Sequence, residues 1–214
     1  MAIISRGILG GFRGKVANVV GTSWKGRAVM KSLPLSVANP RSTGQVAQRT
    51  KFSFCTTIAS GLLSGWIRPL WNPFSGDISG YNKFVSVNTP PLTGNPPIDI
   101  PELQLSIGSL TPIDASNCTA NIIAGDPEIH VLWDAGLVGN QLATDRVYVA
   151  VIESNTGEVL GVSSGTSVIG DGQVLFNLKK ELVLAQHIRI FFAVKRANGS
   201  AVSNSTSFDK AILS

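Results

Sequence analysis

Acidic residues are absent from the first third of this chain. Residues 1–76 contain no Asp or Glu, although they hold ten of the 18 Lys and Arg residues. The rest of the chain holds eight bases and all 13 acids. Such a cationic segment indicates an anionic partner: nucleic acid, a membrane surface, or an acidic face of a neighbouring subunit. The acidic C-terminal part of another copy would fit the last of these.

Charged residues are also scarce overall, at 14% of the sequence. A globular domain usually has about a quarter of its residues charged, because charged side chains cover the surface that meets water. We therefore expect much of the surface to contact other subunits. The alternative is a surface rich in uncharged polar residues.

Cysteine and histidine are rare and form no chemical motif. Cys55 and Cys118 lack the spacing of a zinc site or a disulfide framework. His130 and His187 lie in apolar, strand-like runs, where a histidine packs more often than it acts as a base. We therefore expect no enzymatic activity, no cofactor, no metal and no small-molecule substrate.

Long apolar runs are absent too. No segment approaches the 18 or so apolar residues of a membrane-spanning helix, and the start of the chain is too glycine-broken for a signal peptide. We expect synthesis in a cytoplasm and no membrane partner.

Glycine, in contrast, is abundant near the N-terminus. Gly14-Lys15 is not a phosphate-binding loop, because that motif needs glycine where Leu9 stands and a hydroxyl where Val16 stands. Glycine at this density disfavours a helix. The sequence predicts an extended arm with β-runs at 15–20 and 27–33, separated by turn residues at 21–23 and 25–26.

A helical segment follows the arm. Apolar residues recur at steps of three and four from Gln45 to about Leu63, and Ser42 or Thr43 is a suitable N-cap. This face comprises Phe52, Cys55, Ile58 or Ala59, Leu62 and Trp66. Pro69 and Pro73 are expected to end the helix, and a second short helix is predicted at 78–87.

The C-terminal half has the pattern of a β-domain. Residues 88–101 contain five prolines, which is typical of an extended linker. Beyond them, runs typical of short strands alternate with turns, and Trp133 and Tyr148 are natural core residues. Eight strands are predicted, at 102–107, 119–123, 129–133, 146–153, 159–163, 173–178, 188–195 and 208–213.

These patterns predict a mainly β protein with a helical segment, of the α+β class. Its domains are a basic glycine-rich arm plus helical segment at 1–88, a proline-rich linker at 89–101, and an antiparallel β-sandwich at 102–214. The sandwich is expected to be of the immunoglobulin or fibronectin type III kind.

The basic arm supplies the candidate contact residues. We expect it to contact other subunits, since its ten charges are dilute beside a packaging tail; nucleic-acid binding, with aromatic side chains stacking on bases, is the alternative. The contact residues predicted for an inter-subunit or anionic partner are Arg6, Phe12, Arg13, Lys15, Trp24, Lys25, Arg27, Lys31, Arg41 and Arg49.

Two N-terminal segments carry a family resemblance. Residues 7–26 (GILGGFRGKVANVVGTSWKG) and 39–52 (NPRSTGQVAQRTKF) resemble an uncharacterised family of Bacteroidota-associated proteins in bacterial genomes, phages and prophages. The resemblance implies a virion structural protein, in the capsid, its decoration or the tail, that assembles with itself and other virion proteins in the host cytoplasm. It implies no activity or cofactor. The alternatives are an internal virion protein that binds nucleic acid through the arm, and an adhesion module built on the sandwich.

Overall fold

The structure is a computed structural model that describes residues 3–4, 11–24, 27–34, 36, 39, 41–92, 100, 103–122, 125–182 and 186–212. The chain divides into two compact units, an N-terminal unit (Met1–Ser42) and a C-terminal unit (Thr43–Ser214). Most of the predicted linker at 89–101 lies outside the described residues. The predicted domain limits therefore stay a prediction.

Among its described residues, the N-terminal unit contains four antiparallel strands in sequence order. They are β1 (Ile3–Ile4), β2 (Phe12–Val16), β3 (Val19–Trp24) and β4 (Arg27–Ser32). We call this sheet the N-terminal meander. The prediction of an extended, strand-forming arm is confirmed.

The turns of the meander differ from the predicted ones. The predicted run 15–20 is interrupted by a turn at Ala17 and Asn18, where Ala17 has a positive φ of 47°. Residues 21–23, predicted as a turn, lie inside β3. At Gly21 there is no room for a side chain, because a Cβ at this position would come within 2.6 Å of the Phe12 ring. Glycine in this strand therefore permits close packing and does not mark a turn.

Three α-helical segments open the C-terminal unit. They are α1 (Thr43–Leu62), α2 (Arg68–Leu70) and α3 (Gly80–Asn88), and a π-helical turn at Leu63–Ile67 joins the first two. Both predicted helices are confirmed. Ser79 caps α3 by accepting a hydrogen bond from the Asn82 N–H.

Two details of the helical prediction are wrong. Pro69 does not end the helix, because the Arg68 N–H bonds to the Leu63 carbonyl five residues back and Pro69 then lies in the first turn of α2, where it needs no N–H partner. Phe52 is 53% exposed, although the residues predicted to share its face are buried. The first buried residue of α1 is Cys55, so the helix begins about three turns before it reaches the core.

Two antiparallel sheets form the rest of the C-terminal unit. One has the strand order β11-β10-β7-β8 and the other β5-β6-β9. The strands are β5 (Thr119–Ile122), β6 (Glu128–Leu132), β7 (Arg146–Glu153), β8 (Val159–Val168), β9 (Gln173–Asn177), β10 (His187–Lys195) and β11 (Thr206–Ala211).

Seven of the eight predicted strands are confirmed, and the one at 102–107 is wrong. Residues 103–109 form no strand, and the Leu105 carbonyl instead accepts the indole N–H groups of Trp66 at 2.7 Å and Trp71 at 2.6 Å. Two side-chain donors thus take the place of a backbone partner, and this segment is fixed to the helices.

The four-stranded sheet of the C-terminal unit, β11-β10-β7-β8, is covered on both faces. Alternate residues of β7 and β10 pack against the helices, as Tyr148 does in an edge-to-face contact with Trp66. The residues between them pack against the three-stranded sheet, as Phe192 does with Trp133. Trp133 and Tyr148 are both buried, as predicted. The mainly β fold with a helical segment is confirmed, and an immunoglobulin-like sandwich stays a prediction.

Candidate interaction surface

The predicted contact residues fall into three groups. Arg6 and Lys25 lie outside the described residues. Arg41 and Arg49 are exposed, before and on α1. The other six lie on the strands of the N-terminal meander: Phe12, Arg13, Lys15, Trp24, Arg27 and Lys31.

The register of the meander brings four of these residues to one face. Residues that pair directly across antiparallel strands share a face, and so do residues two apart in a strand. Val20 pairs with Lys15 on one side and with Lys31 on the other. Arg13 is two residues from Lys15, and Arg27 is four from Lys31. We call these four exposed cations, Arg13, Lys15, Arg27 and Lys31, the cationic face.

The opposite face of the meander bears no charge among the residues that the structure describes. It includes Phe12, Gly14, Val16, Val19, Gly21, Ser23, Ala28, Met30 and Ser32, and we call it the uncharged face. Phe12 belongs here, on the face opposite to the four cations, and its role as a contact residue stays a prediction. Its ring packs over Gly21, which leaves it only partly exposed.

Three apolar side chains on the uncharged face are exposed. Val16 and Val19, which pair directly across the β2–β3 turn, are 51% and 38% exposed. Met30, across from Gly21, is 69% exposed. Exposed apolar residues are ordinary when scattered, but these lie together on one side of a small sheet. Sequence reasoning did not single them out.

The cations of the meander have no carboxylate within their own unit, because the first acidic residue of the chain is Asp77. The four exposed cations of this sheet lie on one face, whereas Val16, Val19 and Met30 lie on the other. One face can bury apolar surface, and the other can bind an anion.

The described part of the C-terminal unit contains a groove lined by polar and titratable side chains. Its volume is about 570 Å³, and its lining includes His130, Thr166, Ser167, Asp171 and Gln173. The His130 Nε2 is 3.0 Å from the Gln173 Oε1, and the Asp171 carboxylate accepts the Val168 N–H at 2.8 Å. These two groups thus make local structural contacts.

One motif-like segment lies inside a strand. Residues 161–165 read G-V-S-S-G, the letter pattern of a nucleophile elbow. Such an elbow needs a sharp strand-to-helix turn, whereas these residues lie in the interior of β8. The Ser163 Oγ is buried, and no hydrogen-bond partner for it is found among the described residues. The context therefore does not match the motif.

The other reactive groups are buried or dispersed. Burial, and to a smaller extent the charge of Asp114, raises the pKa of the Cys118 thiol to about 12. Burial also raises the pKa of Cys55, against the opposing effect of a hydrogen bond with Thr89. Within the described ranges, no three His, Cys, Asp or Glu side chains come close enough to hold a metal ion. No helix in the described part of the chain is long and apolar enough to cross a membrane.

Comparison with known proteins identifies a family. The family of unknown function DUF6266 matches residues 11–208, so the chain belongs to this family. The match includes the meander strands β2–β4, the helical segments α1–α3 and nearly all of the β-domain. Comparisons with curated proteins and with solved structures find no match.

Proposed function

We propose that this chain is a non-catalytic structural protein that associates with other copies of itself through the uncharged face of its N-terminal meander. The observation that carries the proposal is the group of exposed apolar side chains on that face, Val16, Val19 and Met30. A small sheet depends on its hydrophobic face for stability, because burying apolar surface is the main stabilising contribution. Covering this face would stabilise both the sheet and the complex.

Charge favours a second copy on this face over the other parts of the meander. The chain has a net charge of +5, so two copies repel each other wherever their cations meet. The uncharged face avoids this repulsion. Fully burying a side chain the size of Val or Met contributes about 1.5–3 kcal/mol, so three such side chains from each copy can support a specific contact.

The open edge of the meander is less suited to self-pairing. Every residue of β4 is exposed, which leaves its outer edge accessible. However, an antiparallel pair centred on Val29 would place Arg27 of one copy opposite Lys31 of the other. Like charges directly across two strands are destabilising, and cations on an edge strand are a common protection against edge pairing.

The setting that we propose is a phage particle, with the chain in the capsid, its decoration or the tail, and with other virion proteins as further partners. The resemblance of residues 7–26 and 39–52 to phage-associated sequences supports this setting. The low charged fraction of 14% supports it as well, since it fits a surface that is largely covered in an assembly. Mass spectrometry of purified particles from a host that carries the gene tests it directly.

Sedimentation velocity over a range of concentrations tests the association. We expect reversible oligomers, and we expect the triple variant Val16→Thr, Val19→Thr, Met30→Thr to dissociate at least tenfold more readily. Threonine keeps the strand preference of these positions but adds a hydroxyl that is costly to bury.

A matched triple variant controls for loss of exposed apolar surface in general. Leu137, Val138 and Leu142 are exposed in a loop of the C-terminal unit, to an extent similar to that of the meander residues. Their replacement by threonine should leave the association unchanged. A wild-type chain that stays monomeric at all accessible concentrations, or equal weakening by both triple variants, would contradict the proposal.

A further inference from the structure

Self-association through the uncharged face does not explain why four cations lie together on the cationic face of the meander. Strands lie about 4.8 Å apart and residues rise about 3.3 Å along each, so Lys15 and Lys31, on either side of Val20, have Cα atoms about 10 Å apart. Arg13 lies about 7 Å from Lys15, and Arg27 about 13 Å from Lys31. Four positive charges are thus collected on one small surface.

This arrangement is unfavourable for an isolated sheet. Like charges on one face of a sheet repel each other, and no residue of the N-terminal unit can neutralise them, because the unit has no Asp or Glu. The described positions between the cations include Val20, Thr22 and Val29, which are short and uncharged, and Trp24 pairs with Arg27. A bound anion with several charges would remove the repulsion.

The residue types on this face fit phosphates better than they fit an acidic protein surface. A protein interface is usually organised around large buried anchors, and lysine is depleted in it. Here half of the cations are lysines, and Met30, the most exposed of the apolar side chains whose burial the structure describes in the meander, lies on the opposite face. Lys and Arg without base-reading partners are typical of contacts with a nucleic-acid backbone.

We propose that the cationic face, formed by Arg13, Lys15, Arg27 and Lys31, binds the phosphate backbone of nucleic acid without sequence preference. This site and the proposed self-association surface are opposite faces of one sheet. The chain would therefore join an assembly through one face of its meander and hold nucleic acid with the other.

Salt dependence measures this contact. The probe is a short fluorescent DNA duplex of mixed sequence, titrated with the full chain between about 50 and 400 mM NaCl. Four phosphate contacts predict that log K falls with log[NaCl] with a slope of about −3.6. A second duplex of unrelated sequence should give the same affinity. A slope near zero for the wild type would overturn the proposal.

Charge-matched variants locate the site. The face variant carries Arg13→Gln, Lys15→Gln, Arg27→Gln and Lys31→Gln, and it should lose most of the slope. The control carries Arg68→Gln, Lys83→Gln, Arg146→Gln and Lys179→Gln, which removes two Arg and two Lys that are exposed in the C-terminal unit. Equal loss in the control would mean that only net charge matters, which would contradict a site.

Single substitutions keep the test valid if the fourfold face variant does not fold. Lys15→Gln should reduce the slope by about one, and Lys15→Arg should leave it unchanged. Competition with poly-glutamate identifies the class of partner. If poly-glutamate displaces the duplex as effectively as unlabelled DNA does at equal charge, the face does not prefer phosphate over carboxylate, and the proposal fails.

The two proposals can fail separately. The threonine variant of the uncharged face should lose association but keep the salt slope of its individual chains. The glutamine variant of the cationic face should lose the slope but still self-associate. Loss of both properties in either variant, with an altered circular dichroism spectrum, would show an unfolded meander, and the single substitutions then decide.

Discussion

Gly61 of α1 lies so close to Val159 of β8 that a Cβ on the glycine would come within 2.8 Å of the valine Cβ. One turn later, a Cβ on Gly65 would meet a methyl group of Val162 at 2.9 Å. At these two glycines the helical segment packs directly against β8.

The first prediction concerns this contact. Gly61→Ala should destabilise the protein by about 1–3 kcal/mol, because overpacking outweighs the gain in helix propensity. Gly44→Ala, in the same helix, is the control: nothing lies within 4 Å of a Cβ there, so stability should rise by up to about 1 kcal/mol. Urea unfolding measures both. A stabilised Gly61→Ala variant would mean that the helix can move away from β8 without cost.

Periodicity predicted the elements of this fold well, because each buries one definite face. The strands β7 and β10 were identified within one residue, since their apolar runs are continuous. That continuity reflects burial on both faces, under helices on one side and a second sheet on the other. The sequence gives no direct signal for which element covers which face, because apolar side chains of many shapes can fill the same space.

The candidate surface was predicted only in part. The cations stood out through the absence of acids, but their common face depends on register, and the register depends on the turn at Ala17-Asn18. When that turn is not recognised, Val16 and Val19 belong to one continuous predicted strand, and their pairing between β2 and β3 cannot be inferred. Once the turn is placed, alternation assigns Lys15 and Met30 to opposite faces.

The second prediction separates an exposed aromatic residue from a buried one. Phe52→Ala should change the unfolding free energy by less than about 0.5 kcal/mol, because the side chain lies on the part of α1 that precedes the core. Phe84→Ala should cost about 3–5 kcal/mol, since Phe84 is fully buried and makes an edge-to-face contact with Trp71. A cost above 2 kcal/mol for Phe52→Ala would show that the residue is covered, as periodicity alone suggested.

The third prediction concerns a buried ion pair. Asp145 is fully buried, its carboxylate accepts the Leu142 N–H, and the Arg196 guanidinium lies 3.1 Å from it. Asp145→Asn keeps the size of the side chain but leaves the cation without its counter-charge, so we expect a loss of about 3 kcal/mol.

An exposed ion pair provides the comparison for Asp145. A guanidinium nitrogen of Arg189 lies 2.6 Å from a carboxylate oxygen of Asp209, yet the Asp209 side chain is 55% exposed. Asp209→Asn should cost less than about 1 kcal/mol, because water screens the pair. Similar losses in the two variants, measured by urea unfolding, would mean that burial does not govern these interactions.

The fourth prediction concerns the Cys118 thiol. Its pKa is raised to about 12, chiefly by burial, from an ordinary value of 9.0. At pH 8 its thiolate fraction should therefore be about a thousandfold smaller than that of an unfolded cysteine. Alkylation by iodoacetamide should be slow in the folded protein, and it should become fast at the urea concentration where the protein unfolds. Rapid alkylation of the folded chain would show that Cys118 is accessible.

The same shift links stability to pH. Because the folded pKa lies above the unfolded one, the contribution of the protonated thiol is complete below pH 9.0 and is lost as the pH rises toward about 12. The wild type should therefore lose more stability over that range than a Cys118→Ala variant, which has no thiol to ionise at this site. The difference between their unfolding free energies at pH 8 and at pH 10 isolates the effect from other alkaline titrations. An identical alkaline loss in both proteins would mean that the thiol ionises at its ordinary pKa and that the surrounding core admits water.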